Sequence, residues 1–269
     1  MPAADRQRTL LHQGGGAGRW GSLGLWPDSG DTDYAGACRA LATTVGQAAG
    51  LQPGARVLSL ACGAGDELLL WAGHFGAATV VGVEIDPAVA ALAQAAAAGQ
   101  PAIQVLCRSA LDWHGHPALA APFDAIVCVD AAYHLAPRAA LLAGAWQRLR
   151  PGGRLAYCDL TLRTDASPLL RAAARLCRVP MADLLPLAVQ VQRLHRQGFT
   201  DVQAQVLDGP VLGGFARFVQ RQAAAQRLQP WQAGWRAVAT TAALIPPCRA
   251  AGLGYALLSA TRPASAAGT

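Results

Sequence analysis

Short apolar runs rich in Val, Leu and Ala recur along the chain and are typical of buried strands. Seven such runs are predicted as strands: Arg56–Leu60, Thr79–Glu84, Ala102–Cys107, Phe123–Val129, Gly153–Leu160, Asp201–Leu207 and Tyr255–Ala260. Segments with helical spacing of apolar residues separate the first five runs. Alternating strands and helices predict an α/β fold with a doubly wound, parallel sheet.

Capping signals support several of the predicted helices. Pro87–Ala98 follows Asp86, which suits the N-cap position, and Ala139–Leu149 ends at a Pro-Gly-Gly turn. A further helix is predicted over Ala182–Gln197, with Asp183 as its N-cap and a glycine after its last residue.

Two long segments exceed what a minimal sheet needs. Leu162–Met181 follows the fifth predicted strand, and Gly209–Leu253 separates the last two. Helical spacing of Phe215, Phe218 and Val219 predicts that the insertions are helical. Ligands of doubly wound folds bind beyond the carboxyl ends of the strands, so we expect the insertions to cap a site there. The alternative is that they only thicken the domain.

Composition indicates a large core. Of 269 residues, 53% are hydrophobic and 14% are charged. No window approaches the ~20 consecutive apolar residues of a membrane span, and the first residues lack the apolar run of a signal peptide. The seven cysteines lie mostly in apolar runs, which favours reduced thiols and a cytoplasmic location.

The net charge of +6 comes from arginine alone, because the chain contains no lysine. These arginines are scattered, whereas a nucleic-acid footprint is a stripe or patch, so we predict no nucleic-acid partner. His114 and His116 stand at a spacing that can touch a metal, but no further ligands accompany them. We therefore predict no metal site.

A glycine-rich turn, Ala61-Cys62-Gly63-Ala64-Gly65, follows the first predicted strand. The second strand ends on Glu84, 19 residues after Gly65. Glycines let a backbone approach its ligand closely, and an acid at the next strand end can bind both ribose hydroxyls. This spacing predicts a cofactor that contains a nucleoside.

The motifs distinguish between two classes of nucleoside cofactor. A nicotinamide dehydrogenase needs a third glycine where this chain has Leu68. The series instead resembles the class I S-adenosylmethionine (SAM)-dependent methyltransferases. The matching segments are Val57–Gly65, Val81–Asp86, Arg108–Ala110, Phe123–Val127 and Leu149–Leu155. The resemblance implies SAM as cofactor and a Rossmann-like, seven-stranded sheet whose last strand is antiparallel.

The resemblance also implies a role for each motif. The glycine motif approaches the cofactor, Glu84 holds the ribose, Ile85 flanks the adenine, and Asp130 helps to hold the methionine end. Ser109 and Ala110 are expected at the edge of the adenine. The implied cofactor-binding residues are Ser59, Ala61, Cys62, Gly63, Gly65, Glu84, Ile85, Ser109, Ala110 and Asp130.

Three positions depart from the family pattern. Ser59 stands in place of an acid, Ala61 in place of the first glycine, and Ser109 in place of an Asp beside the adenine. The missing carboxylate at position 59 either weakens the hold on the ammonium group of the cofactor or is compensated by Asp66 or Asp130. A degenerate, non-catalytic SAM-binding protein is the alternative.

The residues after the fourth strand point to the acceptor. Asp130–Leu135 lacks the Asn/Asp-Pro-Pro-Tyr/Phe motif of amine and nucleic-acid base methylation and resembles the small-molecule branch. This branch includes natural-product sugar O-methyltransferases and quinone-ring methyltransferases. Its sugar enzymes pair a His with an Asp at the fifth strand end, which are the positions of His134 and Asp159. The resemblance implies that His134 is the general base, that Asp159 orients it or shares its proton, and that Tyr133 positions the acceptor. Alternatively, His134 only caps a helix and Asp159 only ends a strand.

The predicted function is methyl transfer from SAM to a small-molecule acceptor, with a hydroxyl favoured and N- or C-methylation as alternatives. A homodimer is left open. The predicted organisation is an N-terminal lid and helix (1–50), a SAM-binding core (51–160), a cap insertion (161–181), a core continuation (182–208), a helical cap (209–253) and a final core strand with a tail (254–269).

Overall fold

The computed structural model describes residues 18–29, 32–163, 165–227 and 229–264. Residues 1–17 of the predicted lid and residues 265–269 of the predicted tail lie outside this range. The strands are β1 (Arg56–Leu60), β2 (Thr79–Glu84), β3 (Ile103–Cys107), β4 (Phe123–Cys128), β5 (Leu149–Leu162), β6 (Thr200–Val206) and β7 (Leu253–Thr261). All seven predicted strands are therefore present.

Helices alternate with the first five strands and fill both insertions. They are α1 (Tyr34–Ala48), α2 (Asp66–Gly73), α3 (Pro87–Ala96), α4 (Arg138–Arg148), α5 (Pro168–Leu176), α6 (Leu187–Arg196), α7 (Gly214–Ala224) and α8 (Trp235–Ala250). Asp86 caps α3 as predicted, since its side chain accepts from the backbone N–H groups of Ala88 and Val89. Within the described residues, none of these helices combines the length and apolarity that a membrane crossing requires.

The strands form one sheet in the order β3-β2-β1-β4-β5-β7-β6. The first five strands are parallel to one another, and β7 is antiparallel to both β5 and β6. This topology confirms the predicted doubly wound sheet with an antiparallel last strand. Strands β1 and β4 bury nearly every residue because helices cover both of their faces.

The helix predicted over Ala182–Gln197 begins later than expected, at Leu187. Pro186 precedes the helix and disfavours a helical conformation for the residue before it. Asp183 therefore does not cap this helix. Its carboxylate accepts from the backbone N–H of Arg138 at 2.6 Å and from the Arg193 guanidinium at 2.6 Å, which fastens the segment before α6 to the start of α4.

The two faces of the sheet carry separate hydrophobic cores. Trp71, Tyr34 and Phe215 belong to one core, to which α1, α2, α7 and α8 contribute. Phe123 and Tyr157 belong to the other, against α4 and α6. The insertion helices α7 and α8 are thus part of a main core.

Residues 18–26 form a strap that runs across the carboxyl ends of the strands. The Trp26 ring stacks on Phe218 of α7 with centroids 4.5 Å apart, and the backbone N–H of Trp26 donates to Pro210 at 3.0 Å. The Tyr34 hydroxyl donates to the Ser22 carbonyl at 2.7 Å. These contacts fix the strap between α1 and the second insertion.

Because α4 packs closely against Trp113, we expect the stability of the protein to be sensitive to a larger residue at Gly144. A Cβ added at Gly144 would lie 2.0 Å from Nε1 of Trp113, whereas a Cβ at Gly73 would meet nothing within 4 Å. We expect Gly144→Ala to lower the free energy of unfolding by about 1–3 kcal/mol, because the indole must move. Gly73→Ala should leave it unchanged or raise it slightly, since alanine favours helices. Urea unfolding of both variants tests this, and equal losses would contradict it.

Candidate active site

The glycine turn after β1 has a backbone that few side chains tolerate. Gly63 and Gly65 have φ values of +57° and +94°. A Cβ at Gly65 would also lie 3.0 Å from the Cα of Ala93 in α3. Ala61 has φ +54°, a left-handed conformation that costs an L-residue about 1–2 kcal/mol. The turn therefore needs glycine at Gly65 and carries strain at Ala61.

Glu84 joins this turn to the end of β2. One carboxylate oxygen accepts from the backbone N–H of Gly63 at 3.0 Å, and the other accepts from that of Asp86 at 3.0 Å. Both contacts fix the orientation of the carboxylate. Its remaining acceptor positions lie at the edge of the cavity described next.

A cavity of about 240 Å³ lies between the glycine turn, the end of β4 and the strap. Its wall includes Arg19, Trp20, Gly21, Ser22, Ala61, Cys62, Gly63, Ala64, Gly65, Asp66, Glu67, Glu84, Val129, Asp130, Ala131, Tyr133 and His134. Four of these side chains are carboxylic acids, against a single guanidinium. We call this space the cofactor cavity, and its charge balance suits a cationic ligand.

Ser59 lies behind the wall of this cavity. It is fully buried, and its hydroxyl donates to the Glu67 carboxyl and accepts from Nε1 of Trp71 at 3.2 Å. Glu67, in the first turn of α2, carries the carboxyl group that reaches the cavity. Burial raises the pKa of Glu67 to about 8.

The predicted adenine-binding residues lie outside the cofactor cavity. Ile85 follows β2 with 67% of its surface exposed. Ser109 and Ala110 follow β3, where the Ser109 hydroxyl accepts from the backbone N–H of Leu111 at 3.2 Å. The exposed Ile85 side chain offers an apolar surface next to Glu84.

Asp130, at the end of β4, accepts hydrogen bonds from three parts of the chain. The donors are the backbone N–H of Leu23 at 2.5 Å, the hydroxyl of Tyr133 at 3.0 Å and the hydroxyl of Tyr255 at 2.7 Å. Burial raises the pKa of Asp130 to about 6, although these donors favour the ionised form. Its φ of +53° places the backbone in the left-handed region.

A second cavity, of about 610 Å³, lies between the strand ends and the insertion helices α5 and α8. Most of its wall is apolar, with Leu170 and Ala173 on α5 and Leu244 and Ile245 on α8. We call it the acceptor cavity. It shares Gly21, Asp130, Tyr133 and His134 with the cofactor cavity. The two cavities therefore meet along one wall.

His134 lies in that shared wall, beside the Tyr133 ring at a centroid distance of 4.6 Å. Its Nδ1 is 3.4 Å from the carbonyl oxygen of Arg178, which can only accept. A hydrogen bond there places the ring proton on Nδ1 and leaves the Nε2 lone pair free. Burial lowers the pKa of His134 below its usual 6.5, with a smaller contribution from the Arg138 charge. The imidazole is accordingly neutral at pH 7.

Asp159 does not meet His134 directly, which corrects the expected pairing. The Asp159 carboxylate is buried and forms an ion pair with the Arg138 guanidinium, 2.8 Å away. Burial raises the pKa of Asp159 to about 7, and the Arg138 charge opposes this rise. Arg138 also donates to the carbonyls of Ala132 and Leu135, which bracket His134 in the chain. Among the described residues, the hydrogen bonds and ion pairs of Asp159 reach the histidine turn through Arg138.

Sequence reasoning missed several residues of the cofactor cavity. Arg19, Trp20, Gly21 and Ser22 come from the strap, which has no periodic pattern. One sequence feature could have indicated Glu67. Ser59 lacks the acid expected at its position in the first strand, and Glu67 is an acid eight residues later.

Comparisons with known proteins bear on the family of this chain. Residues 57–153 match the family model of a methyltransferase domain. A curated relative, erythromycin 3''-O-methyltransferase of Saccharopolyspora erythraea, is 30% identical over 206 residues. The alignment covers 72% of this chain and 66% of that protein, so the chain spans slightly less than two thirds of the relative.

Solved structures with the same fold cover nearly the whole chain. The (4+2)-cyclase SpnF is 22% identical with a TM-score of 0.71, and the match covers 97% of this chain and 94% of that one. Geranyl diphosphate methyltransferase in complex with SAM is 16% identical with a TM-score of 0.69, covering 89% and 97% respectively.

The residues that line the cofactor cavity fit SAM. Glu84 is held at a strand end where a ribose diol can bind, and the acidic wall suits a ligand with a sulfonium and an ammonium group. Gly63 and Gly65 let the backbone approach the ligand. The fold, the motifs and the matched relatives agree that this chain belongs to the class I SAM-dependent methyltransferases, with SAM as its cofactor.

Proposed function

We propose that this protein transfers a methyl group from SAM to a hydroxyl group of a bulky, mainly apolar small molecule. The observation that supports this most is the shared wall of the two cavities. Asp130, Tyr133 and His134 line both. A cofactor in one cavity and an acceptor in the other would therefore come into contact beside these three side chains.

His134 is proposed as the general base. Bound SAM supplies an electrophilic methyl group whose sulfur leaves as a neutral thioether when a nucleophile attacks in line. A hydroxyl acceptor must lose its proton as its oxygen bonds to the methyl carbon, and Nε2 of His134 is free to take that proton. The Tyr133 hydroxyl donates to Asp130, so the tyrosine ring forms a fixed surface beside the imidazole.

The size and lining of the acceptor cavity support an apolar acceptor. A volume of about 610 Å³ lies in the range of sites for drug-sized molecules. Apart from Asp130 at the shared wall, the one charged side chain in its described wall is Arg236. The 30% identical relative is named as an O-methyltransferase of erythromycin, which supports a hydroxyl as the acceptor group.

Asp159 is proposed as a positioning residue. Its ion pair holds Arg138, and Arg138 binds the carbonyls on either side of His134. The proton need not pass through Asp159 in this arrangement.

Two alternatives remain distinct. An amine or carbon acceptor would use the same cavities without needing His134 to take a proton from a hydroxyl. A fold neighbour named as a cyclase shows that this architecture supports other chemistry, so a SAM-binding protein without methyl transfer is the second candidate. Incubation with methyl-labelled SAM and an extract of the source organism, followed by mass detection, separates these functions by their products.

Removal of the proposed base should abolish efficient turnover. We expect His134→Ala to lower kcat about 10²–10⁴-fold while the Kd for S-adenosylhomocysteine (SAH) stays unchanged. In the native protein at saturating SAM, kcat/KM for the acceptor should rise with pH through a midpoint below 6.5, because the pKa of His134 is lowered. His195→Ala, on the exposed surface of α6, is the matched control. Normal kcat in His134→Ala would refute the base.

The acceptor cavity should be open to steric blocking. Ala173 lines it, whereas the adjacent Ala172 is exposed and does not. We expect Ala173→Phe to raise the acceptor KM at least about tenfold by filling space, with the SAH affinity unchanged. Ala172→Phe should change neither. Steady-state kinetics and calorimetry measure both quantities, and equal effects of the two substitutions would argue against this binding site.

The positioning role of Asp159 predicts a change in kcat alone. Asp159→Asn keeps the shape but weakens the hold on Arg138, so kcat should fall about ten- to a hundredfold while the acceptor KM and SAH affinity persist. Asp112→Asn is the control, because the exposed Asp112 carboxylate also pairs with an arginine, Arg108. The free energy of unfolding of each variant is measured alongside. If the lower activity of Asp159→Asn is explained by a smaller folded fraction, Asp159 has no positioning role.

A further inference from the structure

We propose that Glu67 binds the α-ammonium group of SAM and loses a proton as the cofactor enters. This inference rests on the cofactor half of the proposed function and is independent of the acceptor. Glu67 lines the cofactor cavity, and only 7% of its surface is exposed. It stands in place of the carboxylate that Ser59 lacks, eight residues further along the chain.

The hydrogen bonds behind Glu67 have a fixed direction. The Trp71 indole N–H can only donate, and it donates to the Ser59 hydroxyl at 3.2 Å. That hydroxyl in turn donates its own proton to Oε1 of Glu67. Oε1 is therefore an acceptor, and the acidic proton of neutral Glu67 resides on Oε2.

The other carboxyl groups of the cavity are already engaged by the backbone. Glu84 accepts from two backbone N–H groups, Asp66 accepts from that of Arg19 at 2.9 Å, and Asp130 accepts from Leu23 and two tyrosines. Among the residues that the structure describes, Ser59 is the single hydrogen-bond donor to Glu67. Among the described residues, Glu67 is thus the cavity acid that no backbone N–H group engages, and none of them donates a hydrogen bond to its Oε2.

Proton release follows from this arrangement. Burial, aided by the nearby Glu84 and Asp66 charges, keeps Glu67 neutral at pH 7 in the free protein. A nearby ammonium group offsets the cost of burying a carboxylate away from water. The ionised form of Glu67 is therefore favoured once the cofactor is bound. The O–H bond of Glu67 breaks, its proton passes to the solvent, and an ammonium–carboxylate pair forms.

Calorimetry of SAH binding at pH 7.0 in two buffers of different ionisation enthalpy tests the inference without any acceptor. We expect the native protein to release close to one proton and its affinity to rise about tenfold between pH 6 and 7. Absence of proton release would overturn the proposal. This readout needs no variant, so it holds even if substitutions at this buried position impair folding.

Glu67→Gln provides the second test, because glutamine keeps an acceptor for Ser59 but cannot ionise. We expect its SAH affinity to fall about ten- to a hundredfold and its proton release to vanish. Its affinity for 5'-methylthioadenosine, which has the nucleoside and sulfur without the ammonium group, should stay unchanged. Glu84→Gln, the matched control at the predicted ribose contact, should lower the affinity for both ligands. Equal losses of both ligands in Glu67→Gln would assign Glu67 a structural role only.

Discussion

Three hydrogen-bond donors, two of them from distant parts of the chain, converge on the carboxylate of Asp130. Leu23 belongs to the strap, Tyr133 to the turn after β4, and Tyr255 to the antiparallel strand β7. This convergence fixes the strap over the cofactor cavity and the turn between the two cavities at once. The left-handed backbone of Asp130 is tolerated because these contacts hold it from three sides.

The buried acids of the site respond differently to their surroundings. Asp159 has an ion-pair partner, Asp130 has three neutral donors, and Glu67 has one. A raised folded-state pKa means that the folded protein binds protons more tightly than the unfolded chain does. The stabilisation from Asp130 and Glu67 is complete below about pH 4. It is then lost as the pH rises through about 6 and about 8. A cationic cofactor offsets this loss, so cofactor binding and stability are linked at neutral pH.

The fold was predictable because its signals are local and repeated. Strands buried on both faces read as apolar runs, and the Asp86 cap and the glycine turn follow from backbone requirements of single residues. Contacts between distant segments were not predictable. Arg138 gives no sign in the sequence that it lies between Asp159 and the histidine turn, and the strap reaches the cavity only through tertiary contacts. The start of α6 follows a local rule, because Pro186 disfavours a helical conformation for the residue before it.

Cofactor recognition and acceptor recognition are separate because they use different parts of the chain, the sheet and the insertions. The glycine turn, Glu84 and Glu67 belong to β1, β2 and α2, where the sheet and its two cores leave little freedom. Half of the residues in the acceptor wall instead come from α5 and α8, outside the alternating part of the chain. Side chains such as Ala173 and Leu244 can therefore change without disturbing the cofactor contacts. The shared wall at Tyr133 and His134 has no such freedom, because a shift there moves the boundary of both cavities.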